Sequence, residues 1–185
     1  MKISEIEFED EAFKTCALES GFENAEDVVK LTCRNKGISN TKGLEYFTGL
    51  KLLDVTRNQL EELNVSNNIM LEELFAGNNQ LISIDLSSNP SLKHLEVFIN
   101  ELTDLDVTKN KKLEEIYANK NELTIVDLKN NHELLDLRLS DNELATIDLK
   151  ANTKLERLFV DKNEIPDDVV SIIKNAFANI DELRI

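Results

Sequence analysis

The chain offers few side chains with chemistry of their own. His94 and His132 are the only histidines, and Cys16 and Cys33 the only cysteines. A Cys33–His94 couple has the composition of a nucleophile and its base. Cys33, however, falls on a core position of its segment, and neither histidine stands in a nucleophile, metal or phosphate-loop motif. The expectation is a non-enzymatic protein with no cofactor and no metal. Two cysteines are too few for a disulfide framework and match no metal spacing, so they read as two small buried thiols.

Carboxylates at fixed spacing are a second source of chemistry. Asp85, Asp106, Asp127 and Asp148 recur every 21 residues, with Asn64 one interval earlier. Calcium needs several oxygens converging on one point, and an evenly spaced row does not converge. The reading is structural: short acids bonding locally within turns.

A third set of positions varies where the rest of the chain repeats. Asp54, Phe75, Glu96, Tyr117, Arg138 and Phe159 are also 21 residues apart, and ring and charge alternate along them. Two residues later run Thr56, Gly77, Phe98, Asn119, Ser140 and Asp161, and His94 stands two residues before Glu96. Rings set among charges on a rigid face are the composition of a binding hot spot. The competing reading is that the rings merely cover neighbouring charged side chains. The predicted recognition face comprises Asp54, Phe75, His94, Glu96, Phe98, Tyr117, Asn119, Arg138, Phe159 and Asp161, with the four rings facing solvent.

The elements that must carry these residues follow from the repeat. Leu50, Leu71, Leu92, Leu113, Leu134 and Leu155 are evenly spaced, and each opens the template L-x-x-L-x-L-x-x-N-x-L. A shorter half-unit follows each, as in Leu81, Ile84, Leu86 and Asn89. Each half-unit predicts a short extended segment and then a turn. One coil cannot bury its own apolar face, so coils must stack. The asparagines fall in two columns, Asn58 to Asn163 and Asn68 to Asn152, and are predicted to satisfy buried backbone groups in the turns. The first coil has Lys36 at the asparagine position, which predicts an irregular turn there.

The ends read as lids. Phe13, Cys16 and Ala17 lie at helical spacing with Gly21 as a stop, and residues 1–27 form an N-terminal helical cap. Residues 28–165 are the solenoid. Residues 166–185 are a C-terminal helical cap, opened by Pro166, with an inner face of Val169, Ile172, Ile173, Ala176 and Ile180. The segment "ELRI" adds a final edge strand, and the whole is one structural domain.

This pattern resembles the leucine-rich-repeat family, specifically bacterial forms with 21-residue tandem units. "FKTCAL", "VVKLTC" and "GLEYFTGLKLLDV" look like the cap and first coil of such proteins. The resemblance implies an α/β repeat solenoid: a right-handed β-solenoid of short parallel β ribbons, with the longer half-unit on its concave side. It implies protein–protein interaction as the function. Members with this cap often carry an acidic calcium-loop-like insertion and a secretion signal. Here the corresponding region is only "ESGFENAEDVV", so neither is carried over.

A formal charge of −15 repels nucleic acid and anionic membranes and favours a basic protein partner. No stretch is long and apolar enough to span a bilayer. As it stands the N-terminus gives a cytoplasmic location, or a secreted or surface one if a signal has been removed. Two further functions fit the same face: an intracellular inhibitor or immunity protein for a basic toxin or enzyme, and a carbohydrate-binding surface protein. A monomer is expected.

Overall fold

A computed structural model describes residues 1–185. Eight short parallel strands form a single sheet in chain order: β1 (Lys30–Thr32), β2 (Leu52–Asp54), β3 (Glu73–Phe75), β4 (His94–Glu96), β5 (Glu115–Tyr117), β6 (Asp136–Arg138), β7 (Arg157–Phe159) and β8 (Glu182–Arg184). Strands β2 to β7 each fall on the longer half-unit of one repeat, and β8 follows the C-terminal helix. The central residue of each of β2 to β7 points inward, and Leu53, Leu74, Leu95, Ile116, Leu137 and Leu158 are all fully buried. The register puts each central residue beside the next, as Leu95↔Ile116 and Ile116↔Leu137. The apolar residues of all coils form one continuous cluster, so the chain is a single stacked domain.

Only the longer half-unit makes strand. In the shorter half, the side-chain Oδ1 of Asn64, Asp85, Asp106, Asp127 and Asp148 accepts from the backbone N–H two residues on, at 2.9–3.1 Å. A tight turn follows, in which Asn68 N–H donates to the Val65 carbonyl and Leu71 N–H to the Asn68 carbonyl, both at 3.0 Å. These local bonds consume the groups that a second ladder would need. The expectation of an extended ribbon from both half-units is corrected here, and the aspartate column is explained as turn chemistry.

The two asparagine columns differ in use. Asn121 of the first accepts from Leu102 N–H (3.1 Å) and donates to the carbonyls of Val97 and Ala118 (both 3.0 Å). Asn110 of the second only donates, to the carbonyls of Leu86 (3.0 Å) and Asn89 (2.9 Å). Next to the first column, one non-glycine residue per coil is left-handed: Asn35, Arg57, Asn78, Ile99, Lys120, Asp141 and Lys162, with φ between 51° and 59°. Asn35 adopts the same conformation as the rest, but Gly37 two residues on is left-handed as well (φ 75°), which no later coil repeats, so the first turn is irregular, as Lys36 at the asparagine position predicts. Asn58 Oδ1, reaching back from the next coil, accepts from the N–H groups of Lys36 and Ile38.

The N-terminal lid is α1 (Glu11–Glu19), started by Asp10, whose carboxylate accepts from Phe13 N–H at 2.9 Å. Its buried face is Phe13, Cys16 and Ala17, as the helical spacing predicts. The cysteines are not free thiols. Cys16 and Cys33 form a disulfide with Cα atoms 5.7 Å apart, because α1 packs against β1 and brings its inner face over the first coil. Two cysteines separated by 17 residues gave no sign of that stacking.

At the other end α2 (Asp167–Ala176) crosses the last coil and leads into β8, the final edge strand expected. Its apolar face is only partly covered. Ile173 is buried, Val169 and Ile180 half-buried, and Ile172 and Ala176 exposed, with Ile172 at 67%. A single helix set against half-units that carry no regular element leaves a groove over Ile147, Leu149 and Leu155.

Candidate interaction face

The first and third residues of each strand point away from the core and form the sheet face. The parallel register sets them in two columns, so side chains 21 residues apart become lateral neighbours. Phe75, His94 and Tyr117 meet in this way: the His94 ring is 4.9 Å from that of Phe75 and 5.2 Å, edge-on, from that of Tyr117.

Both nitrogens of His94 face carboxylates. Nε2 is 3.0 Å from Glu96 Oε1, and Nδ1 is 3.0 Å from Glu115 Oε2. Only an imidazolium can donate through both nitrogens. Burial alone would lower the pKa of His94, but the hydrogen bond to Glu96 and the charges of Glu115, Glu96 and Glu73 override it, and the pKa is raised.

The chain of contacts continues along the sheet. Tyr117 Oη lies 2.8 Å from Glu115 Oε2 and 3.1 Å from Asp136 Oδ2. Burial and these carboxylates push the phenol's pKa well up, so it stays a donor. Asp136 is fully buried. Arg138 donates to it through Nε (3.1 Å) and Nη2 (2.9 Å), and Arg157 through Nε (2.6 Å). Burial would raise its pKa, yet the hydrogen bonds from the two guanidinium groups hold the carboxyl below its usual range. The Arg138 guanidinium also lies 4.2 Å from the Tyr117 ring centre and 5.2 Å from that of Phe159, and Arg184 lies 4.9 Å from the other neighbour's side of Phe159.

The predicted face residues therefore fall on one surface, in two environments. Phe75, His94, Glu96, Tyr117 and Arg138 belong to the network, half-buried. Phe159 is buried at 7% exposure, between two arginines, which corrects its expected solvent-facing position. Asp54 accepts from Thr56 N–H (2.9 Å), and Asp161 accepts from the Ser140 hydroxyl. Thr56 and Gly77, which share the varying column of Phe98, Asn119 and Asp161, are buried. Phe98 lies over Gly77, where a Cβ would come within 2.6 Å of its ring. Beside it, Ile99 is 39% exposed in the left-handed conformation. Asn119 is half-buried on the same edge.

Glu115, Asp136, Arg157 and Arg184 were missed. The signal was there: Glu73, His94, Glu115, Asp136 and Arg157 are themselves one 21-residue column of changing character. Charge is also distributed unevenly. On the sheet face, Lys30, Arg34, Arg138, Arg157 and Arg184 stand among the acids and nearly balance them. The acid excess lies in residues 1–27 and along a turn column of Glu101, Glu122, Glu143 and Glu164.

A parallel sheet built from 21-residue coils and closed by asparagine columns defines a leucine-rich-repeat solenoid, and the chain has that fold. No family model and no curated sequence matches it. Solved structures do. The functional domain of InlJ from Listeria monocytogenes, which includes a cysteine ladder, is 25% identical over 95% of this chain and 45% of its own, with a TM-score of 0.73. A leucine-rich-repeat protein of Leptospira interrogans is 24% identical over 76% of this chain and 44% of its own, with a TM-score of 0.61. Internalin C2 of L. monocytogenes has the same fold at 19% identity, covering 98% of this chain and 94% of its own, with a TM-score of 0.69. The chain spans less than half the length of the first two.

Proposed function

We propose that the chain is a non-enzymatic module that binds another protein through its sheet face. The observation that carries this reading is the Gly77–Phe98–Ile99 corner beside the His94–Asp136 network. Ile99 is the one β-branched residue of the left-handed column, a conformation that costs a residue of its kind roughly 1–2 kcal/mol. Strain kept at an exposed apolar corner, next to a fixed polar network, is an arrangement that binding surfaces use.

The ligand fits a protein better than a glycan. The rings of Phe75, Tyr117 and Phe159 already have His94, Arg138 and Arg184 against them, which leaves little open ring face for a sugar. The near-balance of charge on this face favours a partner of mixed charge over a strongly basic one. The Cys16–Cys33 bridge supports an oxidising compartment, and we place the protein outside the reducing cytosol.

The test is capture from the source cell's surface and secreted fractions with wild type and a Phe75→Ala, Phe98→Ala, Tyr117→Ala variant. A protein held by wild type and released by the folded variant supports the face. Equal retention by both removes it.

A further inference from the structure

His94 is the one side chain of the sheet face whose type titrates near neutrality, and carboxylates meet it from every strand around it. Glu73 acts on it from β3, Glu96 from its own strand and Glu115 from β5. Glu72, Lys93 and Glu114 line the same shallow depression, in which Lys93 is tied to Glu72 at 2.8 Å. The rings of Phe75 and Tyr117 lie against its two sides.

The two contacts of the imidazolium become unequal once a proton leaves, because a neutral ring has a single N–H to give. Nε2 makes the hydrogen bond to Glu96, which has no other donor. Glu115 has a second one, the Tyr117 hydroxyl at 2.8 Å. The remaining proton therefore stays on Nε2, and the Nδ1 lone pair is left facing the Glu115 carboxylate at 3.0 Å. Two acceptors at that distance repel. The Glu115 side chain is 34% exposed and has solvent to swing into.

The next step follows from the phenol, which also has one proton. Tyr117 Oη lies between Glu115 Oε2 and Asp136 Oδ2 and gives its proton to one of them at a time. When Glu115 turns outward, Asp136 is the acceptor that remains. Asp136 in turn holds Arg138 through Nε and Nη2.

We propose that the sheet face contains a pH-operated latch. The proton on His94 holds Glu115 in place, and its loss to solvent frees Glu115 and leaves the Tyr117 hydroxyl to Asp136, which alters the setting of Arg138 two coils away. The latch is closed in mildly acid surroundings and opens as pH rises past the raised pKa of His94. It is a property of the folded chain, and its role in recognition rests on the sheet face being the binding surface proposed above.

Nuclear magnetic resonance on the 185-residue chain tests it without a partner. The ring signals of His94 and the Nε–H signal of Arg138 are followed from about pH 5 to about pH 9. In wild type both are expected to step with one midpoint, above about 6.5. His94→Gln is expected to abolish the step in Arg138. Tyr117→Phe keeps the ring beside His94 and Arg138 and removes only the hydroxyl, so His94 still titrates and Arg138 no longer follows. Glu115→Ala interrupts the relay one link earlier and is expected to uncouple Arg138 as well. Circular dichroism checks that each variant is folded, and either of these two suffices if the other is not. An Arg138 signal indifferent to His94 in wild type overturns the proposal. So does one that still follows in the folded relay variants, since charge alone then accounts for it, and so does a His94 midpoint below about 6.5.

Discussion

Protonation of His94 ties β3, β4 and β5 together, and the sign of its effect on stability follows. A histidine with a raised folded pKa contributes stability that is fully present below its unfolded value of about 6.5 and is lost as pH rises through the folded value. The melting temperature of wild type should exceed that of His94→Gln most at mildly acid pH, and the gap should shrink as pH climbs past the raised pKa. A gap that stays constant, or widens toward alkaline pH, would show that the imidazolium is not what joins these strands. Ile99 makes an opposite case, because there a side chain opposes the fold. Ile99→Asn, which copies Asn78 one coil earlier, should raise stability by about 1 kcal/mol in denaturant unfolding. If the isoleucine is kept for binding, the same change should weaken capture of the partner.

Within each coil the strand and its two turns divide the work, and that division explains what could be read in advance. The position of every strand, both asparagine columns and the helical face of Phe13, Cys16 and Ala17 follow from spacing, because they depend on neighbours along the chain. Lateral relations do not. That Asp136 is buried, that Tyr117 reaches it, and that Phe159 lies between Arg138 and Arg184 all depend on which side chain stands one coil away. Those pairs appear only when the outward columns are compared with each other. The shorter half-units misled for a different reason: their L-x-L pattern is that of a strand, but Asp and Asn one position before the turn close local bonds first. Mutations should follow the same division. Leu137→Ala, in the centre of β6, should cost roughly 2–5 kcal/mol. Tyr117→Ala, which a purely outward ring would make nearly silent, should cost about 1–2 kcal/mol, because it removes hydrogen bonds and a guanidinium contact. Equal costs for the two would contradict the burial assigned to β5 and β6.

At the scale of the whole molecule, stability is a sum over neighbouring coils and depends on how the ends are held. The N-terminal lid is held covalently across a short loop, and reduction or Cys33→Ser should cost about 3 kcal/mol. The loss should be local at first, with hydrogen exchange rising over residues 1–27 before the middle of the stack. Simultaneous loss of protection along the whole chain would mean that the cap and coils unfold as one unit.

The reach of the asparagine side chains, always to the same two places one coil back, makes the scaffold indifferent to how many laps it contains. Excision of one complete lap of 21 residues leaves each amide facing the same kind of carbonyl as before. Excision of ten or eleven would bring a strand-forming half against a turn-forming half and break both. The contacts from Phe75 to Arg184 have no such translational symmetry, since each is made once and depends on its particular neighbour. Shortening the chain by one lap within β4–β6 should therefore yield a protein that still folds and has lost the proposed recognition face. In that sense length and specificity are separately heritable here: duplication can lengthen the scaffold freely, and specificity must be written anew at each junction.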